Sequence, residues 1–162
     1  LLEGELTSED FMKIKTTLAL AISLFSAGFT ASISAHDLNF KTLLATNGAG
    51  ATDVWAISCL NGGVLGDSAR LAAQVKDWSR NDTNLISLVL YKDGKAVTTT
   101  DLIGDDANYS PLVSVNGGNG DYTMMINHSL VGNQVYFVTY HCENAAGDHT
   151  PTTVPTLPVQ DQ

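Results

Sequence analysis

The chain has 162 residues with 8 basic and 17 acidic side chains, a formal net charge of −9 at pH 7, and two cysteines. Without clustered Lys and Arg it is poorly suited to nucleic acid or to an anionic membrane surface, because phosphate contacts need concentrated positive charge. Its length allows one domain with a modest core.

Residues 1–11 carry four acidic side chains and no basic one, ahead of Met12-Lys13-Ile14-Lys15. They are expected to be an over-extended start or a remnant outside the natural protein. Residues 12–35 have the pattern of a secretory signal peptide: a basic opening, an apolar run from Leu18 to Phe29, and the small-residue stretch Ala31-Ser32-Ile33-Ser34-Ala35. The apolar run is short of the roughly 20 residues that span a bilayer. Cleavage is expected after Ala35, with Ser34 and Ser32 as alternative sites; the first leaves His36 as the mature N-terminus, and all leave no stable membrane anchor. Removal of residues 1–35 leaves six basic and thirteen acidic side chains, a net charge of −7. The short Lys-containing signal suggests a bacterial protein, periplasmic or secreted.

Residues 36–149 read as one β-domain. His36-Asp37-Leu38-Asn39-Phe40 suggests an edge strand. Val54 to Cys59 forms a second, with Trp55, Ile57 and Cys59 on one face. Ala69 to Asp77 alternates Leu71, Ala73 and Val75 against Ala72, Gln74 and Lys76, and its composition also suits a short helix. Leu85 to Tyr91 and Ala96 to Thr100 flank Lys92-Asp93-Gly94-Lys95, and Asp-Gly between strand-like runs predicts a tight hairpin, whose central residues need positive φ. Leu112 to Asn116 and Tyr122 to Asn127 follow, separated by a Gly-rich turn. The longest β-branched and aromatic run, Val135 to Cys142, places Tyr136, Val138, Tyr140 and Cys142 on one face, opposite Val135, Phe137, Thr139 and His141. Residues 150–162, with Pro151, Pro155 and Pro158, are expected to be an extended or disordered tail.

Cys59 and Cys142 each close a core-type strand, and in an exported chain two cysteines imply one disulfide. Closing a loop of 83 positions would constrain the unfolded chain by about 4 kcal/mol in the loop-entropy picture. Seven to eight short strands with turn signals between them imply an antiparallel β-sandwich. At Tyr140-His141-Cys142 the chain resembles the immunoglobulin-like superfamily, where a corner tyrosine stands two residues before the second cysteine. The resemblance implies an immunoglobulin-like sandwich. The tryptophans are placed differently: Trp55 precedes the first cysteine, and Trp78 follows it later than the superfamily pattern has it.

All four histidines, His36, His128, His141 and His149, follow the expected cleavage point. A free terminal amine and its own imidazole can chelate one metal, and nitrogen donors suit copper. In this one residue the mature end resembles the N-terminal-histidine copper sites of lytic polysaccharide monooxygenases and of small periplasmic copper-resistance β-barrels. The resemblance implies copper at His36; completing such a site needs at least one more ligand, for which the residues offer His141 or His149, with His128 ranked below them. Gly66-Asp67-Ser68 is similar to the start of the serine-hydrolase block of the GDSL family, with Asp148 and His149 as notional partners, but the chain is too short, too strand-rich and wrongly spaced for that fold. Gly117-Gly118-Asn119-Gly120-Asp121 resembles a single calcium-binding glycine repeat, and such sites need stacked repeats.

No nucleophile, base and orienting group stand at plausible spacing, so an enzyme is not expected. The expected function is a small exported binding protein with copper at His36. The alternative is a structural or adhesive module that binds a protein or glycan without metal, with Trp55, Trp78 and Tyr109 as candidate contact aromatics and a core place favoured for Trp55. A metal site would draw His36 toward His141 or His149; a contact module would show an exposed aromatic patch.

Overall fold

The computed structural model describes residues 35–80, 83–153 and 155–162. The proposed signal peptide and the segment before it lie outside the described residues, except Ala35. No helix among the described residues is long and apolar enough to cross a membrane.

Among the described residues, nine strands form two antiparallel sheets: β1 (His36–Leu43), β2 (Thr52–Cys59), β3 (Arg70–Asp77), β4 (Ile86–Lys92), β5 (Lys95–Asp101), β6 (Val113–Asn116), β7 (Gly120–His128), β8 (Gln134–Glu143) and the short β9 (His149–Thr150). One sheet has the order β1-β8-β3-β6, with β9 also paired to β8; the other has the order β2-β7-β4-β5. The all-β sandwich and the alternating inward faces of Val54–Cys59, Ala69–Asp77 and Val135–Cys142 are therefore present as expected.

The pairings nest. β4 pairs with β5, β3 with β6, β2 with β7 and β1 with β8, as though one long hairpin had been rolled up and cross-linked by the β3·β8 and β4·β7 pairs. Its tip is the Asp93-Gly94 turn, where both residues have positive φ, 49° and 77°, the mirror-image geometry that matches strand twist. This is a jelly-roll arrangement. In the immunoglobulin arrangement the first two strands pair within one sheet, whereas β1 and β2 lie in opposite sheets here. The tyrosine behind that resemblance is also engaged differently. The Tyr140 hydroxyl donates to the Thr153 carbonyl in the C-terminal segment at 3.4 Å, downstream of the cysteine.

Between the sheets, Trp55, Ile57, Leu88, Leu90, Met124 and Ile126 of one layer meet Leu71, Val75, Tyr136, Val138 and Tyr140 of the other, all 1% exposed or less. The Cys59–Cys142 disulfide, with Cα atoms 5.5 Å apart, joins the two layers from β2 to β8. The C-terminal segment follows the open edge of β2. Thr153 N–H donates to the Ser58 carbonyl at 3.0 Å, Val54 and Gln160 bridge through Val54 N–H at 2.9 Å, and Gln162 N–H reaches Asp53 Oδ1 at 2.8 Å. Prolines suit such a lane, since an edge partner need not donate at every position.

A candidate binding face

The outward face of the β1-β8-β3-β6 sheet carries both groups of functional interest, because period two fixes which side chains leave the core. On β8 these are Val135, Phe137, Thr139, His141 and Glu143; on β3 they are Arg70, Ala72, Gln74 and Lys76.

At one end lies an aromatic cluster. Phe137 stands opposite Lys76 in the β3·β8 register. Phe40 packs edge-on against Phe137 at 4.6 Å between ring centres, and Trp78 does so at 5.5 Å. The Lys76 ammonium lies 4.7 Å from the Trp78 ring centre, 4.8 Å from Phe137 and 4.9 Å from Tyr109, so three rings surround one cation. Phe40 is 70% exposed and Trp78 44%. Phe40 sits in the irregularity where β1 slips its register between Leu38 and Lys41, with φ at 52°. A bulky side chain in that region stores of order 1–3 kcal/mol of backbone strain. The bulge therefore holds a large apolar ring in water at a conformational cost. Beside Tyr109 a hollow of about 200 Å³ is lined by residues including Asp101, Ile103, Asp106 and Pro111. Small-molecule sites usually occupy about 300–1,000 Å³, so this hollow is small for one.

At the other end are His141, Glu143 and His149. His141 and Glu143 share the outward face of β8 two residues apart, and the β8·β9 register sets His149 directly across from Glu143. The imidazoles of His141 and His149 stack at 4.1 Å between centres. His141 lies opposite Ala72, the smallest outward side chain of β3, which leaves room for the pair. His141 Nε2 lies 2.7 Å from Glu143 Oε1, and Arg70 Nε donates to Glu143 Oε2. With Nε2–H facing the carboxylate, His141 Nδ1 is a bare lone pair, buried and without a hydrogen-bond partner among the described residues. Burial holds the His141 pKa below the ordinary histidine value despite the bond to Glu143. Burial pushes Glu143 up, but the His141 bond and the Arg70 guanidinium outweigh it and leave the carboxyl below its ordinary range.

The loop between β8 and β9 is organised by Asn144. Its Oδ1 accepts from the N–H groups of Ala146 and Asp148 at 2.9 Å each, and its amide nitrogen donates to the Leu65 carbonyl and to Asp148 Oδ2. Gly147 takes φ 93°. Asn144 followed by Gly147-Asp148 is recognisable turn chemistry, and it was the available signal that His149 folds back beside Glu143.

His141 and His149 thus come together, but His36 does not join them. His36 is in register with Tyr140, and its ring lies 5.9 Å from the Tyr140 ring on the inward side of the sheet, opposite to the face of His141. His128 is 5% exposed, with Nε2 2.9 Å from the Gly48 carbonyl and Nδ1 3.3 Å from the Asn84 amide, so both nitrogens serve the fold. Trp55 is a core residue whose indole N–H donates to the Tyr136 hydroxyl at 3.2 Å. Ser68 is 2% exposed and bound to the Leu60 carbonyl and the Thr150 hydroxyl, an arrangement that leaves no accessible nucleophile there. In the Gly-rich turn, the Lys92 ammonium donates to the Asn119 carbonyl at 2.6 Å and Asp121 accepts from Ser58, so the loop is closed by a lysine of the chain itself. Glu143, Phe40, Phe137 and Lys76 were not singled out from the sequence, because each acquires its role only from a neighbour on another strand.

No protein-family model matches the chain, and no curated protein matches it. Among solved structures it is similar to a family two carbohydrate esterase from Cellvibrio japonicus, with 13% identity and a TM-score of 0.37. The match covers 78% of this chain and spans 37% of the esterase chain.

Proposed function

We propose that this protein is a small exported, non-catalytic binding module that takes a carbohydrate chain on the outward face of its β1-β8-β3-β6 sheet. The observation that carries this reading is the aromatic cluster in which Trp78, Tyr109 and Phe137 surround Lys76 and Phe40 packs on the buried Phe137, with the rings of Phe40 and Trp78 exposed. Sugars present an apolar C–H face and a rim of hydroxyls. Ring faces beside a cation and the polar side chains Gln74 and Thr139 match both features along a single sheet. The strain at Phe40 supports a contact role, since a strained and exposed ring gives the fold little in return. An oxidising compartment, periplasmic or extracellular, agrees with the inter-sheet disulfide.

The test is affinity electrophoresis through gels containing neutral or uronic-acid polysaccharides, with Trp fluorescence titration of oligosaccharides as a second readout. At least one polysaccharide should retard the protein, and the Trp78→Ala and Phe40→Ala variants should each lose ten-fold or more in affinity while keeping the wild-type melting profile within a few degrees. No retardation on any of the polysaccharides, or retardation unchanged in both variants, would remove the reading.

A further inference from the structure

We infer that His141 and His149, with Glu143 as the outer carboxylate behind His141, form a site for one borderline divalent cation of the zinc and copper(II) class, separate from the aromatic contact surface and independent of the chain's N-terminus. Three observations on this corner support it. The potential donor atoms of the three side chains lie within 4.8 Å of one another, half-buried at the join where β9 takes over from β1 along the β8 edge. His141 is held by Glu143 as a second-shell carboxylate holds a metal-ligating histidine, which fixes the tautomer and leaves the other nitrogen bare. That nitrogen, Nδ1, is buried with no hydrogen-bond partner among the described residues, and an unmatched buried acceptor is a cost to the fold until something occupies it.

A pair of imidazoles is a donor set of the zinc and copper class and does not suit calcium, which takes oxygen ligands. Tetrahedral zinc with bonds of about 2.0–2.1 Å holds its donors about 3.3–3.4 Å apart. Bringing the two imidazole donors to that spacing is within reach of side-chain rotation in His149, which lies on a two-residue strand at the sheet edge. Arg70 opposes the cation by its charge and also occupies Glu143 Oε2. The site is accordingly a moderate one, open to exchange, and removal of that guanidinium should tighten it.

Isothermal titration with zinc, and with copper(II) followed by electron paramagnetic resonance, should be run on a chain retaining residues ahead of His36, so that no terminal amine–imidazole chelate can form. One equivalent should bind. Copper should show coupling to two imidazole nitrogens. His149→Ala should weaken binding ten-fold or more and remove one nitrogen coupling, Arg70→Gln should strengthen it, and His36→Ala should leave it unchanged. Unaltered tryptophan fluorescence would verify that each variant is folded. Absence of saturable binding, or binding that survives His149→Ala but is lost in His36→Ala, would overturn the assignment. Polysaccharide retardation reads the other end of the sheet, so failure of either proposal is visible without the other.

Discussion

The Tyr136 hydroxyl donates to Asp53 Oδ2, linking the central strand β8 of one sheet to the edge strand β2 of the other. The same hydroxyl accepts from the Trp55 indole, and the other oxygen of Asp53 accepts from the N–H of Gln162. Four residues from three separate parts of the chain thus satisfy one another where Tyr136 is 0% and Asp53 1% exposed. Burial raises the Asp53 pKa even though both hydrogen bonds favour its charged form.

Tyr136→Phe removes a single oxygen and leaves the Trp55 N–H and an Asp53 oxygen without their partner. The expected cost is about 1–3 kcal/mol, the desolvation penalty of stranded polar groups, rather than the smaller loss of one exposed hydrogen bond. Chemical denaturation of the variant beside the wild type measures it. A change under about 0.5 kcal/mol, the scale of ordinary surface substitutions, would mean that the network contributes nothing to stability.

Deletion of residues 155–162 removes the bridge at Gln160 and the contacts of Gln162 with Asp53, Thr52 and Leu44. It uncovers part of the β2 edge, and an uncovered edge is a template for association. The shortened protein should melt at a lower temperature and show concentration-dependent association by light scattering. A monodisperse truncation with wild-type melting would show that the segment is dispensable.

Acid should loosen the β8–β9 corner in two stages. The folded state holds His141 below its ordinary pKa of 6.5, so the unfolded chain takes up the proton first; this contribution is complete above pH 6.5 and declines as the pH falls through the lowered value. Glu143 is held below its ordinary 4.5, so its contribution is complete above pH 4.5 and is lost at still lower pH. Asp53, raised above 3.8, acts oppositely: its contribution is complete below 3.8 and diminishes as pH rises. Melting curves of wild type and His141→Gln between pH 5 and 8 isolate the histidine, since only the wild type should lose melting temperature on the acid side of 6.5. Parallel curves for the two proteins would contradict the assignment.

How much of this was legible in the chain depends on the range of the interaction concerned. Alternation placed Trp55, Ile57, Val138 and Cys142 on the correct faces because burial is read residue by residue, and Asp93-Gly94 announced its turn because positive φ is a local requirement. Strand order was not accessible in that way. Whether β1 pairs with β2 or with β8 depends on closure across the whole domain, and nothing within His36–Leu43 encodes it. The candidate sites show the same division. Trp78, Tyr109, His141 and His149 could be named from residue type, yet Lys76 acquires its aromatic surroundings, and Glu143 its place opposite His149, only through cross-strand register. His36 was favoured for its place at the expected mature terminus, but its register with Tyr140 sends the ring to the side away from His141.

The nesting of the strand pairs also sets an order in time. Contacts close in sequence grow costlier as the loops they seal lengthen, so the Asp93-Gly94 hairpin can zip while the chain is still emerging, and β3·β6 and β2·β7 can follow outward. The outermost pair, β1·β8, joins residues such as His36 and Tyr140 that are separated by almost the whole domain, and Cys142 meets Cys59 only once β8 has arrived. A protein rolled in this way cannot complete its fold, or seal its disulfide, before its last strands are delivered.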